Sequence, residues 1–278
     1  MNERRLYCDM PACPLQTNRR GAPRRVDTPE DRLLRLEGVS RAFDRHTGVR
    51  DIDLSVHRGE ILGVCGASGC GKSTLLRLVA GRETPDAGHI RRDFSRLGMV
   101  FQDPNLLPWL NARDNVALVL KGATAEKQRA ADEALGSVGL AQAADQYPAT
   151  LSGGMRQRVG IARALAANPD LLLMDEPFSS LDYFTSVELL ELVRQRVLAR
   201  DIAVVFVSHD VREVVRLCDR VAVMGGAPGR VLDELSNPLP PIERGTRPGA
   251  LARFEDQVLD AIRRGQPEWR FAGESTKS

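Results

Sequence analysis

Three features of this 278-residue chain predict an α/β fold built on a parallel sheet with an inserted helical segment. A short apolar strand, Ile61-Leu62-Gly63-Val64, runs into a glycine-rich loop and then a helical pattern of Leu75, Leu76, Leu78 and Val79 ending near Gly81. Strand, glycine loop and helix in that order open a βαβ unit. Two later apolar strands, residues 171–174 and 202–207, flank Val187, Leu189, Leu190, Val193, Val197 and Leu198, which recur at a helical period. Between about residues 103 and 148 the pattern is alanine-rich and helical, an insertion into the α/β core. At roughly 150 residues per domain the length fits one large domain.

The N-terminal stretch comes first in chain order. Up to Val26 six Arg stand against Glu3 and Asp9, a local charge of +4 in a chain whose total is +2. It has no 7–15-residue apolar segment, so it is no secretory signal. Residues 1–30 read as a disordered basic leader, the alternative being an arm for anionic lipid or nucleic acid. The near-neutral total gives no reason to expect a nucleic-acid partner. Cys8 and Cys13 lack a second ligand pair for zinc, and five cysteines, an odd number, suit a reducing compartment. The longest apolar run is six residues, against the ~20 that a membrane-spanning helix needs, so the chain is not expected to cross a bilayer by itself.

From Leu33 the pattern is regular. Ile52, Leu54 and Val56 alternate with polar neighbours, and Arg58-Gly59-Glu60 turns the chain into the strand before the loop. Gly66-Ala67-Ser68-Gly69-Cys70-Gly71-Lys72-Ser73-Thr74 then matches G-x4-G-K-[ST] between a strand and a helix. Glycines let successive backbone N–H groups wrap phosphate oxygens, and the helix start adds its positive end. Lys72 is placed to reach the β- and γ-phosphates and Ser73 to offer its hydroxyl to Mg2+. Lys occurs four times against 35 Arg, and the broader Arg fork would fit this closed loop poorly. The expected core is therefore a P-loop NTPase (RecA-like) one, with ATP and Mg2+ as its ligands.

Leu151-Ser152-Gly153-Gly154-Met155-Arg156-Gln157-Arg158 opens a helix stopped by Asn168-Pro169. Ser152 is a good N-cap and Gly153 and Gly154 expose N–H groups, so this reads as a second anion-binding helix start. The strand at 171–174 ends in Asp175-Glu176, where a parallel sheet presents its carboxyl ends to ligand. Asp175 is expected in the Mg2+ shell and Glu176 beside the attacking water. A meander, residues 221–224 and 231–235 around Gly225-Gly226-Ala227-Pro228-Gly229, closes the fold. Leu251, Phe254, Val258 and Ile262 mark a last amphipathic helix, expected to pack on the core or on a partner subunit. No internal repeat appears.

The Ser152-Gly153-Gly154 segment closely resembles the signature motif of ATP-binding cassette (ABC) ATPases, and other landmarks of that family fall in order. Gln102 is similar to its Q-loop glutamine, Ser179-Ser180-Leu181-Asp182 to its D-loop, and His209 in Ser208-His209-Asp210 to its switch histidine. Phe43 stands 29 residues before Lys72, where the family puts an aromatic ring against adenine; core packing is the alternative. The resemblance spans about residues 33–235. It implies a P-loop core with an antiparallel β subdomain and an inserted α-helical subdomain at about 103–165. The ATPase domain would cover 31–240 and a helical tail 241–278.

It further implies ATP hydrolysis by a head-to-tail dimer, each ATP lying between the phosphate loop of one chain and Ser152, Gly153 and Gly154 of the other. Glu176 would activate water, His209 and Gln102 would position the γ-phosphate and metal, and Asp182 would communicate across the dimer. The cluster from Asn105 to Val116, with Trp109, would form the groove for a permease coupling helix, or else pack the helical insertion. With Pro228-Gly229-Arg230 and the short tail it resembles the nitrate/sulfonate/taurine importer subgroup. That implies a peripheral subunit on the cytoplasmic face of the membrane, an integral permease and, indirectly, an extracytoplasmic solute-binding protein. An exporter or lipid-handling motor and a soluble nucleic-acid-linked ATPase are the alternatives. Only 14 residues run from Gly88 to Phe101, implying a trimmed antiparallel subdomain, and residues 1–30 have no counterpart in the family.

Overall fold

The computed structural model describes residues 31–179 and 181–265. The expected leader at 1–30, Ser180 of the D-loop and the end of the tail lie outside the described residues. A three-stranded antiparallel sheet comes from β1 (Arg32–Ala42), β2 (Gly48–His57) and β4 (Ala87–Arg92), ordered β2-β1-β4. Leu36 of β1 sits between Leu54 of β2 and Ile90 of β4. Residues 93–96 alone separate β4 from β5 (Leu97–Val100), which accounts for the short interval between Gly88 and Phe101.

The second sheet holds β3 (Ile61–Gly66), β5, β6 (Leu171–Asp175), β7 (Ala203–Val207), β8 (Arg220–Gly225) and β9 (Arg230–Ser236) in the order β5-β6-β7-β3-β8-β9. All neighbours pair in parallel except the β8–β9 hairpin. Strict period-2 alternation sends successive side chains to two separate cores. Ile61, Cys65, Leu172, Met174, Val204, Phe206, Val221 and Val223 face one; Leu62, Val64, Leu171, Leu173, Val205, Ala222 and Met224 face the other. At Gly63 an added Cβ would lie 2.7 Å from Val214 and 2.8 Å from Cys218 Sγ, so only glycine lets the overlying helix settle there.

The helices are α1 (Lys72–Val79), α2 (Ala112–Ala117), α3 (Thr124–Ser137), α4 (Gly153–Ala166), α5 (Tyr183–Arg200), α6 (Val211–Leu217) and α7 (Pro248–Arg264). The α2, α3 and α4 helices pack together as the expected inserted subdomain and share a core with one face of the large sheet. In α5 the buried face is Ser186, Leu189, Leu190, Val193 and Val197. Leu198, one residue and ~100° beyond Val197, is exposed, so the apolar stripe is narrower than the sequence period suggests. Leu251, Phe254 and Val258 of α7 are buried, with Ala261 completing the face and Ile262 at its edge.

Arg244 ties the tail to the core. It is 4% exposed, and its guanidinium donates to Leu217 O (2.7 Å), Leu239 O (3.1 Å) and Asp219 Oδ1 (2.6 Å). Asp219 Oδ2 in turn accepts from the Ile61 N–H at 3.0 Å, at the start of β3. Removing the buried guanidinium leaves the partly buried Asp219 charge and two carbonyls without their donor. Arg244→Ala is expected to lower stability by about 3 kcal/mol. Arg263→Ala, whose side chain is 75% exposed, should shift it by less than about 0.5 kcal/mol. Urea unfolding of the two variants separates them, and equal midpoints would contradict the anchoring role.

Candidate functional site

Four neighbouring parallel strands deliver the motifs to one edge of the sheet. The phosphate loop follows β3, Phe101-Gln102 follows β5, Asp175-Glu176 ends β6 and Ser208-His209 follows β7. Their registers, Val100 beside Met174, Asp175 beside Val207 and Val64 beside Val207, bring the ends level.

Within the phosphate loop Gly66, Gly69 and Gly71 have φ of 150°, 81° and 92°, a region that disfavours any side chain. A Cβ at Gly66 would lie 2.1 Å from Met224 O, and one at Gly71 2.6 Å from Gly48 O. At Gly69 nothing lies within 4 Å, so the loop is open toward a ligand there. Gly71 is the N-cap of α1 and gives no side-chain cap bond, so the helix start offers free N–H groups to an anion. Lys72 is buried, and its Nζ donates to Gly66 O (2.8 Å) and Ala67 O (3.0 Å). Cys70 is buried beneath the loop, its thiol pushed up by burial against the nearby Lys72 charge. The cavity above, about 320 Å3, is lined by Phe43, Thr47, Gly48, Ser68, Gly69, Gly71, Lys72, Ser73, Thr74, Arg77 and Glu176. Phe43 therefore stands at the cavity and not in the core; the residue is 48% exposed, with the Arg41 guanidinium 5.1 Å from its ring centroid.

Burial, and then the charge of Glu176, push the Asp175 carboxyl above the usual range, while a hydrogen bond from Ser73 and the Arg77 and Lys72 charges oppose them. Glu176 has φ 45°, a left-handed turn uncommon for glutamate, and its N–H continues the β6–β7 ladder to Val207 O at 2.9 Å. That turn brings its Oε2 to 3.1 Å from His209 Nδ1.

Not every motif residue lines this cavity. Gln102, Ser152, Gly153, Gly154, Asp182 and His209 are not among its lining residues. Ser152 caps α4 by accepting the Met155 N–H (3.2 Å), and Asp182 caps α5 through the Thr185 N–H (3.0 Å). The two helix starts adjoin: a Cβ at Gly154 would touch Thr185 Cγ2 at 3.3 Å and Leu181 Cδ2 at 3.7 Å.

Three residues within the recognised segments serve the site through contacts those motifs do not display. Gly229, in the β8–β9 turn, lies so close to the phosphate loop that a Cβ would fall 1.7 Å from Cys70 O, and its N–H donates to Gly48 O (3.0 Å). Gln157 is buried in α4 and its Nε2 donates to Phe101 O (3.1 Å), next to Gln102. Asn115 is fully buried; its amide donates to Leu107 O, Leu110 O and Asn111 O at 3.0–3.1 Å, and its Oδ1 accepts the Leu107 N–H (2.8 Å). Asn115 thereby shapes the loop bearing Trp109, which is 68% exposed while Leu106 packs inward.

The cradle fits a nucleoside triphosphate: φ-positive glycines, an uncapped helix start and a buried lysine aimed into the loop. Among the described residues no three carboxylate, imidazole or thiol groups converge on one point. The hydroxyl of Ser73 beside the Asp175 carboxylate instead suits Mg2+ shared with phosphate oxygens.

The ABC transporter family profile matches residues 49–179. The aliphatic sulfonates import ATP-binding protein SsuB 1 of Mesorhizobium japonicum is 42% identical over 240 residues, covering 83% of this chain and 89% of its own. SsuB 2 of Burkholderia cenocepacia is 43% identical over 239 residues, covering 84% and 88%. The chain belongs to the ABC transporter family. Among solved structures, a dimeric ATP-binding cassette in a post-hydrolysis state with ADP and phosphate aligns with a TM-score of 0.67 at 29% identity, covering 73% of this chain and 98% of that one. The protein is thus an ATP-binding, ATP-hydrolysing ABC subunit with a P-loop core. No helix among the described residues is long and apolar enough to cross a membrane.

The glycine geometry of this ABC phosphate loop makes a graded test. Gly66→Ala collides with the Met224 carbonyl and is expected to abolish ATP binding. Gly69→Ala meets only the backbone strain of its positive φ, about 1–2 kcal/mol, and should weaken binding roughly tenfold. Titration with a fluorescent ATP analogue reads both; the reverse order would refute the close-packing argument.

Proposed function

We propose that this ABC ATPase drives import of aliphatic sulfonates, working as a head-to-tail pair on a membrane permease fed by an extracytoplasmic binding protein. The observation that carries the substrate class is the 42% and 43% identity to proteins named as aliphatic sulfonates importers, over 83% and 84% of the chain. The exposed Trp109 on a loop fixed by Asn115 suits a permease helix, and its position after Gln102 suits signalling to the nucleotide. Such a complex holds this subunit at the cytoplasmic face of the membrane.

In this reading the β- and γ-phosphates of ATP enter the Gly66-to-Thr74 loop and draw Lys72 from the Gly66 and Ala67 carbonyls. Phe43 stacks on adenine at the cavity mouth. Ser73, Asp175 and Gln102 would hold Mg2+, whose charge offsets that developing on the phosphates. Glu176 accepts the proton of the attacking water. His209 orients Glu176 through the 3.1 Å contact. The second nucleotide wall comes from the partner's own copy of the Ser152-Gly153-Gly154 helix start, with Asp182 beside it.

Glu176→Gln is expected to keep ATP affinity and form an ATP-stabilised dimer on size exclusion, while turnover falls a hundredfold or more, by the usual weight of a general base (roughly 10²–10⁴). Turnover near wild type would remove Glu176 from that role. For the solute, a strain lacking the gene should lose growth on an alkanesulfonate as sole sulfur source and regain it with the wild-type copy only. Unimpaired growth would count against sulfonate import and return nitrate, taurine or export to consideration.

A further inference from the structure

The histidine that meets Glu176 is itself poorly held. His209 has a side chain 58% exposed, so packing does not fix its ring; the backbone from Ser208 to Asp210 must. Ser208 is 2% exposed and its hydroxyl joins two bonds. The oxygen accepts the Asp210 N–H at 3.0 Å, and the O–H donates to Glu213 Oε2 at 2.6 Å. A serine hydroxyl turns freely about its C–O bond, so committing its proton to one acceptor holds its lone pairs toward the N–H it accepts. Glu213, in the first turn of α6, supplies that commitment. Its carboxylate is not needed to start the helix, because Asp210 already caps α6 by accepting the Arg212 N–H at 2.9 Å. The Ser208–Glu213 pair is half-buried, where a charge-assisted bond of this length is short and directional.

We propose that Glu213 is a positioning residue for hydrolysis: through Ser208 it locks the turn that aims His209 at Glu176. The inference rests on the reading of His209 given above. Lock and histidine act in series, so removing the lock costs turnover only while the histidine is present.

The test is a double-mutant cycle on the full-length chain, followed with radiolabelled ATP so that slow variants remain measurable. Glu213→Ala is expected to lower kcat about tenfold and leave the KM for ATP within about twofold. Glu213→Gln still accepts from Ser208 and should recover most of that loss. In a His209→Ala background, Glu213→Ala should have no further effect on kcat. Ser208→Ala breaks the same relay from the other end and serves in the cycle if Glu213→Ala does not fold. The proposal is overturned by wild-type kcat in Glu213→Ala, or by an undiminished tenfold cost in the His209→Ala background, which would mark a general structural role. Full turnover in His209→Ala would overturn it as well, and would locate the failure in the reading of His209.

Discussion

The hydrogen-bond ladder through β5, β6, β7 and β3 is the constraint on which everything else depends. Gln102, the Asp175-Glu176 pair, His209 and the phosphate loop are separated by tens of residues, yet each follows the carboxyl end of one of four adjacent strands. Register has to be fixed for those ends to come level, and burial on both faces fixes it. A slip of one residue would exchange the side chains of the two cores, sending Phe206 toward the space built for Val205 and Val207. The packing that stabilises the sheet therefore also sets the geometry of the site.

Around that ladder the rest of the chain supplies close approaches and buried polar ties. The β8–β9 turn presses Gly229 on the Cys70 carbonyl, and Gly48 of β2 on the start of α1, so the phosphate loop is clasped from two sides. Arg92 of β4 donates to Leu78 O (2.5 Å) and Val79 O (3.0 Å), joining the small sheet to the last turn of α1. At the far end of β3, burial pushes the Glu60 carboxyl up, but hydrogen bonds from His57 and Arg220 outweigh it and hold the group below its ordinary value. Stability from Glu60 is therefore present at neutral pH and lost only as pH falls through that lowered value.

What was legible in the sequence follows from locality. The phosphate loop, the acidic strand end and the signature helix start are contiguous strings whose chemistry is carried by neighbours in the chain, and each stands where its flanking strand or helix puts it. The contributions of Gly229 and Gln157 reach across the chain, whereas Asn115 and Glu213 act within eight residues of themselves but in no pattern that the string displays. Gly229 matters because the hairpin folds back on Cys70, far away in sequence, and Gln157 because α4 lies against Phe101. No local pattern distinguishes such a glutamine from one on a solvated face. The width of the α5 stripe is not local information for a related reason: apolar residues at Val187 and Leu198 fit the period, but only the neighbours decide how much of the arc is covered.

The separation of the two anion-binding helix starts has a consequence for assembly. The α1 start opens into the cavity at Lys72, whereas the α4 start adjoins Leu181 and Thr185 at the beginning of α5 and does not line that cavity. A chain with two unlike half-sites completes both at once when a two-fold axis sets each against its complement, as in a head-to-tail pair. In that pair Gln157 would link the α4 start, proposed to close over the partner's nucleotide, to the Phe101-Gln102 segment of its own chain. The loop ordered by Asn115 follows directly, and carries Trp109 to the surface. One helix would then register closure over ATP at its first turn and pass it, through a single buried amide, to the surface proposed to meet the permease.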